Sequence, residues 1–182
     1  MVDYRQVNYS RTTLTELMVP AYANFGGKIH GGILLSLMDK VAYACASKHA
    51  GNYCVTVAVE NVDFLQPVEV GEMVSMYASV NYVGSSSMVI GIKVIAENFK
   101  VGTVKHTNTS YFTMVAKENG VPTKVPGLIL ETKEDIKRFL EAIKRKELKS
   151  SYKSELQKAR IALMVDSENT LLKNERCKIE LS

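Results

Sequence analysis

Asn24-Phe25-Gly26-Gly27-Lys28-Ile29-His30-Gly31-Gly32 leads straight into Ile33-Leu34-Leu35-Ser36-Leu37-Met38-Asp39. This stretch joins a glycine-rich turn, the start of an apolar helix and one carboxylate. Glycines leave backbone N–H groups open to close approach, because no Cβ stands in the way. Gly31 and Gly32, at the helix start, point such donors where the helix dipole favours negative charge. An acid among so many apolar neighbours is costly unless it has work to do. Donors for an oxyanion and a carboxylate able to activate water are the parts of an acyl-transfer site. An amide at Asn24 can orient water or hold a carbonyl, although asparagine also suits a tight turn. Asp39 has a plainer reading too, as a surface acid paired with Lys40 or with a lysine across an interface. His30, alone on a loop, reads as structural. His49 lies ~15 Å further along the same helix, too far to assist Asp39.

These residues need a helix and a sheet to position them. Gly31 to His49 is too long an apolar run for one strand, so it reads as a helix that Gly51-Asn52 closes. Its polar residues Ser36, Asp39, Lys40, Tyr43 and Ser47 fall on one narrow stripe, which predicts a helix wrapped by sheet on its other sides. Ahead of it, Gln6 to Val19 reads as a strand ended by Pro20. After it the period changes to two, giving strands over Cys54–Phe64, Met73–Val83, Met88–Glu97 and Val104–Lys117, with a turn at Gly84-Ser85-Ser86-Ser87 and another at Glu118-Asn119-Gly120. One buried helix followed by long sequential strands predicts an α+β domain with an antiparallel sheet curled around the helix.

The organisation expected is one domain over residues 1–128 and a helical, partly basic extension over 129–182. Thr132-Lys133-Glu134-Asp135 carries helix N-cap chemistry. Ile136, Phe139, Leu140 and Ile143 mark an apolar face. Lys133 to Arg160 holds ten Lys/Arg against five Asp/Glu. The plainer reading is a solvated helix docked on its own or a partner subunit, and a polybasic membrane contact is the alternative. From Asp166 onward the sequence is polar and is expected to fray.

Composition narrows the class. The chain has 182 residues, 46% hydrophobic and 23% charged, with net charge +4 and no tryptophan. These values suit a globular domain with a sizeable core and do not call for nucleic acid. No stretch reaches the ~18 apolar residues of a membrane span, and the start Met1-Val2-Asp3-Tyr4-Arg5 has no apolar signal region. Cys45, Cys54 and Cys177 are odd in number and widely spaced, which fits a reduced, cytoplasmic protein without a metal site.

The segments Asn24–Gly32 with Met38-Asp39, Val55-Thr56-Val57-Ala58-Val59-Glu60-Asn61-Val62-Asp63-Phe64-Leu65-Gln66-Pro67-Val68, and Gly84-Ser85-Ser86-Ser87-Met88 together resemble the hotdog-fold acyl-CoA thioesterases. The resemblance runs from about Leu14 to Pro126 and is greatest to the cytosolic acyl-CoA hydrolases. One departure is Phe25-Gly26-Gly27-Lys28, where the family often has an acid between the asparagine and the glycine pair.

The resemblance implies hydrolysis of acyl-CoA to a free acid and coenzyme A, with no cofactor beyond the coenzyme A of substrate and product. It implies that Asp39 acts as general base or nucleophile and that Asn24 joins it from another subunit of a dimer, within a trimer of dimers. It places Thr56 near the neighbouring carboxylate and Ser85, Ser86 and Ser87 near the CoA phosphates, while Lys93, Lys100 and Lys105 are candidates for the 3′-phosphate. Two alternatives are an acyl-thioester dehydratase or hydratase, which needs a histidine paired with an acid, and a non-catalytic acyl-CoA sensor.

Overall fold

In the computed structural model, residues 3–163, 170–172 and 175–180 are described. The expectation for the segment from Asp166 falls partly outside them. The elements run β1 (Tyr4–Gln6), α1 (Val7–Ser10), β2 (Thr12–Leu17), α2 (Gly31–Ala50), β3 (Tyr53–Val59), β4 (Met73–Val83), β5 (Ser87–Asn98), β6 (Thr103–Glu118), β7 (Val121–Pro122), β8 (Gly127–Ile129) and α3 (Lys133–Ala162). Six strands form one antiparallel sheet in the order β2-β4-β5-β6-β3, with β7 paired to β6. A separate parallel pair joins β1 to β8.

The chain divides into two compact units, residues 1–142 and 143–182. This division lies beyond the boundary expected at 128, because the first turns of α3 belong with the sheet. Asp135 and Ala142 are buried there, and the Phe139 ring packs 5.2 Å from Tyr82. The N-cap expected at Thr132 forms: its hydroxyl accepts from Asp135 N at 3.0 Å, and Asp135 Oδ2 accepts from Thr132 N at 3.1 Å. Asp135 also meets Arg11 at 3.2 Å.

The core lies between α2 and one face of the sheet. Leu34, Leu37, Met38, Val41, Cys45 and Ala46 of α2 meet Val74, Met76, Ile90, Ile92, Phe112 and Met114. Alternation along β4 sends Met76, Ala78 and Val80 inward, and the intervening residues line a polar cleft of about 590 Å³ on the other face. The first turns of α3 form a wall of that cleft, which contains Lys93 and no other predicted site residue.

Two sequence expectations need correction. The N-terminal strand is broken by α1, whose Val7 and Ser10 are buried. Ser10 Oγ lies 3.4 Å from Nδ1 of buried His49. Alternation alone carried no sign of this, because the turn is dictated by the far end of α2. The second correction concerns α2 itself. Its helix is covered on one side only: Leu35, Ser36, Asp39, Lys40, Tyr43, Ala44 and Lys48 are all exposed. The sheet curls around the covered side of the helix, as expected, and the open stripe is wider than its polar residues alone predict, since it takes in Leu35 and Ala44. The C-terminus of α2 matches expectation, with Gly51 at φ 73° donating its N–H to Ser47 O.

Candidate active site

The site begins in a small closed loop. Ala23 and Ile29 form an antiparallel bridge, Asn24 N donates to Lys28 O at 2.7 Å, and Gly27 N donates to Asn24 O at 3.0 Å. Asn24 Oδ1 accepts from Gly26 N at 2.9 Å and from Lys28 N at 3.2 Å. The side-chain carbonyl therefore holds the loop's own backbone, while the amide NH₂ takes part in neither bond. Gly27, at φ 76°, makes the turn that a side chain would strain. Lys28 ties the loop down through Glu69, with Nζ 2.6 Å from Oε1 and 2.7 Å from Oε2. Phe25 projects fully into solvent from this loop.

His30 caps α2. Its Nδ1 accepts from Gly32 N at 3.0 Å, which puts the ring proton on Nε2. This corrects the expectation for Gly32, whose N–H is already engaged and is not a free donor for an oxyanion. Gly31, the first residue of the helix, has no intrahelical acceptor for its N–H. A Cβ at Gly31 would stand 3.3 Å from the Phe64 ring, so glycine keeps that contact open.

Two turns along α2, Asp39 Oδ1 accepts a 2.6 Å hydrogen bond from the Thr56 hydroxyl. Thr56 Oγ1 also lies 3.2 Å from Met114 Sδ. The pairing of β3 with β6 shifts between Thr56 and Ala58, a bulge beside the acid. Asp39 lines a cavity of about 530 Å³ with Leu35, Ser36, Val59, Val62, Phe64 and Phe112. Only Ser36 and Asp39 are polar in that lining. Within one chain Asp39 is exposed, because the open side of α2 carries it.

The structure brings some predicted residues together and leaves others apart. Asp39 and Thr56 meet directly. No hydrogen bond joins Asn24 to Asp39 within the chain. The turn of Ser85, Ser86 and Ser87 sits at the same end of the sheet as Thr56: Met88 and Thr56 both pair with Met114, and Ser87 and Val55 both pair with Val115. Ser85 O accepts from Val125 N and Ser86 O from Ala116 N, which fixes the turn through its carbonyls.

The three lysines are scattered. Lys93 lines the polar cleft on the outer face, Lys100 sits in the β5–β6 turn, and Lys105 pairs at 2.8 Å with the buried carboxylate of Glu72. Sequence reasoning missed Glu72. Its Oε2 accepts from Glu69 N at 2.8 Å, so it braces the turn that anchors the Asn24 loop. The run Glu69-Val70-Gly71-Glu72 shows only a turn and gives no sign that its last acid is buried. His49 is buried, with Nε2 3.1 Å from Pro126 O, and burial lowers its pKa from 6.5. Neither His30 nor His49 pairs with an acid, as a dehydratase reading requires. Among the described residues no group of three or more His, Cys, Asp or Glu is gathered to hold a metal. None of the described helices is long and apolar enough to cross a membrane.

Residues 26–103 match the profile of the Thioesterase superfamily. Protein VdlD of Helicobacter pylori is 44% identical over 141 residues, 78% of this chain and 81% of that protein. A solved apo-hexameric acyl-CoA thioesterase is 33% identical and superposes with a TM-score of 0.80, covering 83% of this chain and 97% of the other. The chain belongs to the hotdog-fold acyl-CoA thioesterases. Within this thioesterase family, an acyl-CoA hydrolase of Staphylococcus aureus solved with coenzyme A is 26% identical, with a TM-score of 0.80 over 89% of this chain and 98% of that one. Its solved variants carry alanine in place of an asparagine, an aspartate and a threonine that follow one another at intervals of 15 and 17 residues. Asn24, Asp39 and Thr56 of this thioesterase stand at the same intervals.

Proposed function

We propose that this thioesterase hydrolyses acyl-CoA with Asp39 as general base, Thr56 orienting it, and Asn24 of a second subunit completing the site. One observation carries the reading: Asp39 is held at 2.6 Å by Thr56 on the wall of a cavity whose only other polar residue is Ser36. The Thr56 bond engages one carboxylate oxygen and leaves the other to take a proton from water. The cavity takes the acyl chain. The Asn24 amide and the Gly31 N–H act on the thioester oxygen as negative charge builds there. Water supplies the nucleophile and the thiolate of coenzyme A leaves, so the reaction calls for no metal or redox cofactor.

Asn24 is given to a second subunit because no hydrogen bond joins it to Asp39 within one chain and the family resemblance implies a site shared between subunits. The surface for that subunit is the free edge of β3 and the open side of α2, where the Tyr43 and Tyr53 rings meet tilted at 6.1 Å and Val57 is 61% exposed. A dimer there would cover Asp39, and the hexameric relative supports three such dimers. Ser85, Ser86 and Ser87 bind CoA phosphates on this reading, which the sheet register supports: their turn lies about two strand spacings, ~10 Å, from Thr56. A cytoplasmic location is supported by the free thiols Cys45, Cys54 and Cys177.

The test is thiol release from an acyl-CoA panel by Asp39→Asn. Turnover should fall by about 10²–10⁴-fold, with coenzyme A binding and oligomer size retained. Asn24→Ala should lower kcat more than it raises KM. Mixed after subunit exchange, the two variants should regain about a quarter of native activity, since each mixed dimer restores one of its two sites. Native turnover by Asp39→Asn would remove the acid from the mechanism, and absence of recovery on mixing would return Asn24 to its loop.

A further inference from the structure

The helix α3 continues far beyond the unit it begins in, and its outer stretch is built unlike its start. Over residues 143–163 there are seven Lys/Arg against two Glu. Helical order reaches Leu163, whose N–H donates to Ala159 O at 3.0 Å. At about 100° per residue, Leu148, Tyr152, Leu156, Ala159 and Leu163 fall within an arc of about 80°, with Arg145 the one charged residue inside it. Leu148, Tyr152 and Leu163 are exposed, by 59%, 66% and 53%. Lys149, Arg160, Lys153 and Lys146 occupy the next ~60° on one flank of that arc. Glu147 and Glu155 lie on the other flank, and Lys144 bonds Glu147 there at 3.1 Å. One edge of the apolar stripe is therefore a continuous row of cations.

We propose that residues 143–163 form an interfacial helix that binds the surface of an anionic lipid bilayer. An apolar stripe can enter the acyl boundary while the adjoining ammonium and guanidinium groups meet anionic headgroups, which is how a helix of this construction lies on a membrane. Lysine and arginine stems reach across such a boundary, with the charge kept in the headgroup layer. The charge pattern selects this partner over the alternatives. A second copy of the helix would set a net charge of +5 against +5. Nucleic acid would use the cations and leave Leu148, Tyr152 and Leu163 in water. The proposal is independent of how the active site works.

The experiment is co-flotation of the full chain with vesicles of phosphatidylcholine alone and of phosphatidylcholine with phosphatidylglycerol, at low salt and in 0.5 M NaCl. The expected result is binding to the anionic vesicles, at least ten-fold weaker on neutral ones and sharply reduced by salt. Lys149→Ser with Lys153→Ser should lower bound protein about five-fold or more, and Leu148→Ser with Tyr152→Ser should do the same. Both double variants should keep native helicity, oligomer mass and turnover of a short-chain acyl-CoA in solution. Equal binding to neutral and anionic vesicles, or none to either, overturns the proposal. So does a fall in oligomer mass in the Leu148/Tyr152 variant, which would make the stripe a contact between subunits.

Discussion

At the scale of single residues, His49 gives the molecule a pH-dependent stability apart from its chemistry. It is buried beneath α1, near Ser10 and Pro126 O, and burial holds its pKa below 6.5. The unfolded chain then binds the proton more readily than the folded one, so stability falls as pH drops below 6.5 and levels off beneath the lowered value. The thermal midpoint should decline between pH 7 and pH 5.5, and His49→Gln should flatten that slope at some cost in stability at neutral pH. An equal slope in the variant would assign the effect to other groups. Residues differed in how well the sequence announced them. Asp39 stood out as an acid in an apolar helix, and its likeness to a known motif supplied Thr56 and Asn24. Glu72 was missed and the Gly32 N–H misjudged because their roles depend on partners, Lys105 and His30, that spacing does not reveal as such.

At the scale of elements, the sheet carries a tight fit on its outer face. A Cβ on Gly91 would come within 2.2 Å of Asn81 Nδ2, and Asn81 is itself buried and accepts from Ser79 Oγ at 3.0 Å. Gly91→Ala should therefore lower unfolding free energy by about 1–3 kcal/mol. Adding Asn81→Ala should recover part of that loss, read from denaturant midpoints. No recovery would place the strain elsewhere. The long strands and α2 were legible because each holds its period for many residues. The split between β1 and β2 was not, since a single helical turn leaves no period and α1 is fixed by its contact with distant His49. Nor was the bare side of α2: a stripe of polar residues reads as the edge of a covered surface, while here apolar Leu35 and Ala44 lie open beside it.

At the scale of the whole molecule, the two units set where the chain can be cut. Removing residues 143–182 should leave acyl-CoA hydrolysis in place, since every candidate site residue lies in the first unit. Removing residues 131–182 is a different experiment. It strips Asp135 from Arg11, Phe139 from Tyr82 and Ala142 from the core, and should cost about 3 kcal/mol or more, measured by thermal or denaturant unfolding. Equal stability of the two truncations would show that α3 contributes nothing to the sheet. The order β2-β4-β5-β6-β3 also sets a timetable for synthesis. Both β2 and β3 are made before the strands they pair with, β4 and β6, and α2 emerges between them with its core face bare. From the end of β3 to the end of β6 the ribosome needs about 3–12 s at 5–20 residues per second. Throughout that interval the helix that carries Asp39 lacks its complete sheet, and its core face is open to chaperones and to other nascent copies of the chain.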